Sequence, residues 1–381
     1  MKVLHFFSDW KWTGPAEPVV RLCRALRDRG VEIEFLCKAR PSVTSPRGRS
    51  GGIIEKAADL NPMTPLRLRD FTHPLAYLLD IRDLAPLLDE ARIDVVHTHM
   101  THDHAIGSRA ARRSARRPIV IRTNHTGAPL HSGHWTRHMV RGHTDGMIEI
   151  SRRAFDADAR TFGLSPEQMI LVEGSVDLSR FFPGALQQKA RSALKLAKED
   201  VVVGMVARIQ RHRRFHIFLR AMKLATERNP SLRGLVVGRG THRERIAVRP
   251  ARRMGLSDRV IFAGYRMDDY VSVLDAIDML VFLVPGSDGS CRAVREAMAM
   301  GKPIIAARRG LLPELVEDGV CGLVVDDSPE NLAAAILRLA ENTELRRQLG
   351  AAAAHKAAEK FGIDQQADGV LDFYQALIKS R

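Results

Sequence analysis

The sequence predicts an α/β protein made of two doubly wound parallel sheets in tandem. Three observations predict it. Short apolar runs alternate with helix-period segments along nearly the whole chain, the pattern of parallel strands with helices on both faces. The runs form two series that part at Phe181-Phe182-Pro183-Gly184. The chain has 381 residues, 45% of them hydrophobic and 27% charged, enough for two sizeable cores.

The first series opens with Lys2–Phe7, a short apolar run. Glu17–Arg29 follows with Val19, Leu22, Cys23 and Leu26 at helical spacing, and Gly30 stops it. In Val31–Cys37 apolar residues alternate with Glu32 and Glu34. Ile93–Val96, Ile119–Ile121, Met147–Ile150 and Met169–Val172 complete the series. Arg40–Phe71, rich in Pro, Gly, Ser and Arg, reads as a long loop with little regular structure. Ser108–Arg117 reads as an arginine-rich helix. After the joint, Gln187–Lys198 reads as a polar helix. The second series is Val201–Val206, Leu235–Val237, Val260–Phe262, Met279–Val284, Pro303–Ala306 and Leu323–Val325. Helices are expected at Phe215–Glu227, Arg243–Met254, Cys291–Met300 and Glu330–Leu339.

Composition narrows the function. No apolar run reaches the roughly 18 residues of a membrane span, and Met1–Phe7 is too short for a cleavable signal. Four scattered cysteines, none in a CxxC pair, suit free thiols in a reducing cytoplasm. The net charge of +15 attracts anions: an anionic substrate or membrane surface. It is spread over both halves, and only three Trp and four Tyr are present, so a nucleic-acid partner is not expected.

In open α/β sheets ligands bind at the carboxyl ends of the strands, and the polar motifs cluster there. Gly14 lies in the loop after the first run. His125 follows the fourth. His97, His99, His102 and His104 have the look of a zinc set, but no Cys or Glu completes it, and no metal is expected. Arg208, Arg211, Arg213 and Arg214 follow Val201–Val206 and suit a diphosphate. Gly238-Arg239-Gly240 resembles half of a dinucleotide fingerprint, but position 243 is Arg where the third glycine belongs, which discounts an oxidoreductase. Asp288 in a loop and Glu296 on the following helix flank a helix N-terminus.

In order, these motifs resemble a family-four retaining glycosyltransferase of the GT-B fold. Asp288–Ala306 resembles the family's acid-x7-acid segment and its Glu-Ala-Met-Ala-x-Gly-Lys-Pro continuation. Leu312–Gly319, Val176–Pro183, Val237–Gly240, Val260–Gly264 and Gly14–Glu17 resemble five further motifs. The resemblance implies two facing Rossmann-like domains with a cleft between them. The N-terminal domain, 1–184, would take the acceptor, and 185–362 the nucleotide-sugar. A helix in 363–381 would cross back to the first domain. It implies that Glu296 binds ribose, Asp288 holds the donor sugar, and Arg208 and Arg213 stabilise the diphosphate. His125 would face the reacting sugar. Gly14, Gly238, Gly264, Tyr265, Arg266, Gly289, Ser290, Cys291 and Arg292 would line the donor. No metal or other cofactor is implied. The acceptor implied is a glycan or lipid-linked glycan at the inner face of the cytoplasmic membrane. The chain departs from the family at Arg213-Arg214, where Lys-Gly is usual, and at Asp288, where Glu is usual. The first departure motivates an alternative: a binding protein without catalysis.

Overall fold

The computed structural model describes residues 1–12, 14–40, 52–69, 72–184, 187–285 and 291–381. By its contacts the chain divides into two units. One is Met1–Gly174 with Ile363–Arg381; the other covers residues 175–285 and 291–362. Phe181–Gly184 thus belongs to the second unit.

The first unit holds a six-stranded sheet of β1 (Lys2–Phe7), β2 (Glu32–Cys37), β3 (Val95–Thr98), β4 (Ile119–Asn124), β5 (Gly146–Glu149) and β6 (Met169–Leu171). All pairs are parallel, in the spatial order β2-β1-β3-β4-β5-β6. The central strands are buried on both faces, which is why they read as largely apolar runs. The C-terminal helix Ile363–Lys379 completes this core. It buries Ala367, Val370, Phe373, Tyr374 and Leu377 among Val3, Leu22, Leu26, Val95 and Ile121. Gly146 leaves room for it: a Cβ there would lie 2.5 Å from Leu377 Cδ1 and 2.8 Å from Phe373 Cζ. Arg29 anchors the start of the helix through Asp364 and Asp368, at 2.9 and 2.5 Å.

The second unit repeats the architecture with β7 (Val201–Val206), β8 (Leu232–Val237), β9 (Val260–Gly264), β10 (Met279–Phe282), β11 (Ile304–Ala307) and β12 (Gly322–Val325). The order is β12-β11-β10-β7-β8-β9, again all parallel. Two apolar clusters, one on each face, sandwich the sheet.

Four local expectations change. The described part of Arg40–Phe71 is more ordered than a loop: Ile53–Lys56 is helical, and Ile53, Ala57, Leu60, Leu66 and Leu68 are buried. Its apolar residues were masked by the surrounding Pro, Gly and Arg. The arginine-rich helix is Thr101–Arg113 and stops short of Arg116 and Arg117. Asp89 ends it by accepting from Ser114 Oγ at 2.6 Å and from the amides of Ala115 and Arg116. Gln187–Ala193 is shorter than predicted, because the chain turns left-handed at Lys195. The helix expected over 243–254 divides into a π segment, Glu244–Val248, and Arg249–Arg253. Pro250 has no N–H to continue a regular ladder.

Candidate functional site

The carboxyl ends of β7, β8 and β10 gather the donor-side candidates of the second unit. β7 runs out at Val206, and Arg208 beyond it is exposed, with no acidic partner among the described residues. Arg213 behaves differently. Its side chain is buried, and Nη1 donates to the carbonyls of Val284 (2.9 Å) and Pro285 (2.7 Å). It clamps the segment that leads into the loop carrying Asp288. Arg214 sits in the left-handed region, φ +59°, just before the helix Phe215–Arg228. That conformation favours glycine, which accounts for the residue type usual at this place. Arg214 Nε pairs with Asp327 at 2.7 Å.

At the end of β8, Gly238 has φ +149° and donates its N–H to Gly264 O at 2.8 Å. A Cβ there would lie 2.9 Å from the Ala207 carbonyl carbon and nearer still to its oxygen. Gly240 presses the same way on Ile209. These glycines let two strand ends touch. Gly264, φ +75°, has nothing among the described residues within 4 Å of such a Cβ. Tyr265 after it is exposed, with the Arg239 guanidinium 4.5 Å from its ring centre. Arg266 is held by Ala263 O and Asp269, at 2.9 and 2.8 Å.

Asp288, Gly289 and Ser290 lie outside the described residues. Cys291 is buried and left-handed, φ +48°, and starts the helix Arg292–Ala299. On that helix Glu296 is nearly buried. Its Oε2 accepts from Tyr270 Oη at 2.6 Å, and Arg292 Nε lies 3.4 Å from Oε1. Burial and the facing carboxylate raise the Tyr270 phenol well above its ordinary pKa, so it stays a donor.

In the first unit, Gly14 makes the turn before the helix Ala16–Arg27. His125 follows β4 and heads a line of imidazoles. Its Nε2 is 3.1 Å from His99 Nδ1, and His99 Nε2 is 3.0 Å from His5 Nδ1. Beside them, His97 Nδ1 meets Tyr374 Oη at 2.5 Å and Nε2 meets Thr123 Oγ1 at 2.6 Å. Burial lowers the pKa of His5 to about 3 and of His125 to about 4, and holds His97 and His99 well below the usual histidine range. The four histidines grouped in the sequence therefore separate. His97 and His99 turn inward, while His104, on the next helix, meets Thr144 Oγ1 at 2.7 Å and the Arg122 guanidinium at 3.0 Å.

Asn124 pins the loop that carries His125. Its Nδ2 donates to Ala128 O and Glu149 Oε2, and its Oδ1 accepts from Thr126. Asp158 holds the far end by accepting the Leu130 N–H. Burial and the neighbouring Asp158 raise Glu149 far above the carboxylate range.

The polar residues His5, Glu149, Tyr270 and Tyr374 escape sequence reading. His5 and Glu149 sit inside apolar runs, and the two tyrosines on helices far along the chain. A polar residue within a run otherwise buried on both faces is the signal that marks the first two.

Two family profiles match the chain, one over each half. Residues 187–356 match Glycosyl transferases group 1, and residues 13–180 match Glycosyltransferase Family 4. A D-inositol 3-phosphate glycosyltransferase of Rhodococcus jostii is 30% identical over 376 residues, covering 91% of this chain and 81% of its own. The chain belongs to the family-4 glycosyltransferases. A D-inositol 3-phosphate glycosyltransferase of Saccharomonospora viridis is 29% identical, with 91% and 85% covered. Among solved structures, Anabaena HepE in complex with UDP superposes with a TM-score of 0.80 at 20% identity, over 99% of this chain and 100% of that one. A glycosyltransferase from Rickettsia africae superposes at 0.83 with 14% identity, over 100% and 99%. The fold is GT-B, with two Rossmann-like domains, and the protein is a glycosyltransferase.

Proposed function

We propose that this glycosyltransferase moves a sugar from a nucleotide-sugar to a glycan or lipid-linked glycan, retaining the anomeric configuration and needing no metal ion. The observation that carries the donor half is Glu296. A nearly buried carboxylate, aimed by the Tyr270 phenol on a helix after β10, is suited to accept from the vicinal hydroxyls of a ribose. Arg208, exposed and without an acidic partner among the described residues, supplies fixed positive charge for the departing diphosphate. The net charge of +15 supports an anionic setting, the cytoplasmic face of a membrane, where each basic residue near the surface contributes about 1 kcal/mol. Among the described residues no helix is long and apolar enough to cross a membrane, so attachment would be peripheral. The names of the relatives favour a second acceptor, a small phosphorylated polyol, which the same charge would attract.

Calorimetry against UDP-, GDP- and ADP-sugars without metal tests the donor half. One donor should bind the wild type and bind Glu296→Ala some 30- to 100-fold more weakly, about 2–3 kcal/mol for a charge-assisted pair of hydrogen bonds. Silence across the panel, or equal binding by the variant, refutes it. With that donor, turnover on lipid-linked glycan in anionic vesicles against turnover on inositol 3-phosphate separates the two acceptors.

A further inference from the structure

His5, His97 and His99 bring one ring nitrogen each within 4.8 Å of one another, all buried, which invites a metal reading. The bonding opposes it. A tridentate site needs each ring to turn a lone pair toward a common centre. His97 already faces a hydroxyl at each nitrogen, Tyr374 and Thr123. His99 faces an imidazole at each nitrogen, His5 and His125.

Proton counting along His125, His99 and His5 gives a sharper answer. Two nitrogen-to-nitrogen bridges join the three rings, and each bridge holds one proton. Two protons would collide there, and none would set lone pair against lone pair. A neutral imidazole carries one N–H, so three rings supply three protons: two for the bridges and one for an end. Only two arrangements satisfy this. In the first every ring is protonated at Nδ1, the His5 Nε2 end is bare, and His125 carries its N–H at Nδ1. In the second every ring is protonated at Nε2, and His5 buries an N–H.

His5 Nε2 decides between them. It is buried and has no hydrogen-bond partner among the described residues. Orphaned buried N–H groups are rarer in folded proteins than buried acceptors left unpaired. We infer that His99, whose far side is closed off in the core, fixes His125 as its Nδ1–H tautomer, so that it meets a ligand as a hydrogen-bond donor and not as a base. Burial keeps the three rings neutral across the physiological range, as the arrangement requires. The consequence for transfer rests on the reading above that His125 meets the donor sugar. It would donate to a sugar oxygen, and proton removal from the acceptor would fall to another group. His99 is the positioning residue in this scheme.

Long-range proton–nitrogen NMR on the full chain, labelled with 15N-histidine and free of donor, reads the tautomer directly. His125 should show a protonated Nδ1 and a bare Nε2, unchanged from pH 6 to 8. His5→Phe should leave that signature in place, because the buried bare nitrogen then belongs to His99. His99→Gln should abolish it: the amide offers both a donor and an acceptor, and the two His125 nitrogens should shift toward a common averaged value. Circular dichroism confirms that both variants are folded. A protonated Nε2 on His125 in the wild type, an unchanged signature in His99→Gln, or stoichiometric Zn2+ shifting His5, His97 and His99 together would each overturn the inference. Failure of the donor panel with the Nδ1–H signature intact would instead count against the functional reading alone.

Discussion

Alanine at Gly238 perturbs the donor-side strand ends in two separable ways, and its neighbours isolate each. The new Cβ would stand 2.9 Å from the Ala207 carbonyl carbon. Ordinary carbon contacts begin near 3.5 Å, so the ends of β7 and β8 must part by roughly 0.6 Å or more. Backbone on both sides cannot swing away, and overpacking of this kind costs about 1–3 kcal/mol. A φ of +149° adds about 1–3 kcal/mol for a residue with a Cβ. The unfolded chain returns about 0.4–1 kcal/mol, because alanine is less free than glycine. The net expectation is about 1–5.6 kcal/mol, centred near 3. Gly240→Ala meets the same close carbonyl, that of Ile209, at ordinary φ, and should lose about 1–3 kcal/mol. Gly264→Ala has open space and only the left-handed φ of +75°, and should lose about 1 kcal/mol. The assay exploits the sequence: Trp10, Trp12 and Trp135 all lie in the first unit. Urea unfolding followed by tryptophan fluorescence reports that unit, while far-ultraviolet circular dichroism reports both. Gly238→Ala should lower the circular-dichroism midpoint of the second unit and spare the fluorescence midpoint. A Gly238→Ala protein no less stable than Gly264→Ala would refute the steric reasoning.

Gly146→Ala makes the converse test, since its Cβ would strike Leu377 and Phe373. It should lower the fluorescence midpoint by the equivalent of about 1–3 kcal/mol and spare the second unit. Glu149 has a pKa raised in the folded state by burial and Asp158, so its contribution is fullest below the ordinary carboxylate pKa and fades as pH rises toward the raised value. The stability of Glu149→Gln relative to wild type should therefore increase from pH 6 to 8, by at most about 1.4 kcal/mol per pH unit for one proton; a flat difference would show that Glu149 is already ionised. Arg213→Met strips the Val284 and Pro285 carbonyls of a charged donor. It should cost about 2–4 kcal/mol in the second unit, and a neutral outcome in urea would show that the clamp is dispensable.

The two series of strands were legible because central parallel strands bury both faces and so announce themselves as apolar runs. Val201–Val206 coincides with β7 to the residue. Edges were less clear: Leu232, Arg233 and Gly234 belong to β8, but Arg233 and Gly234 interrupt the apolar pattern. The charged side chains of the site were legible as types and positions, not as directions. Arg213 reads in the sequence as a cation for a ligand, and the fold turns it onto two carbonyls. Composition cannot reveal that, because the choice is made by β10, some 70 residues away. Likewise nothing local ties His5 to His99; their nearness follows from β1 and β3 being neighbours in the sheet.

The final helix also dictates an order of assembly during synthesis. Residues 175–362 close their own core, but the sheet of the first 174 residues lacks Phe373, Tyr374 and Leu377 until the last stretch is made. At 5–20 residues per second, the about 190 intervening residues keep that apolar face waiting roughly 10–40 s. The domain made first should thus mature last, with its uncovered face open to chaperones throughout, and a chain cut before Ile363 should leave the ribosome with only its later half folded.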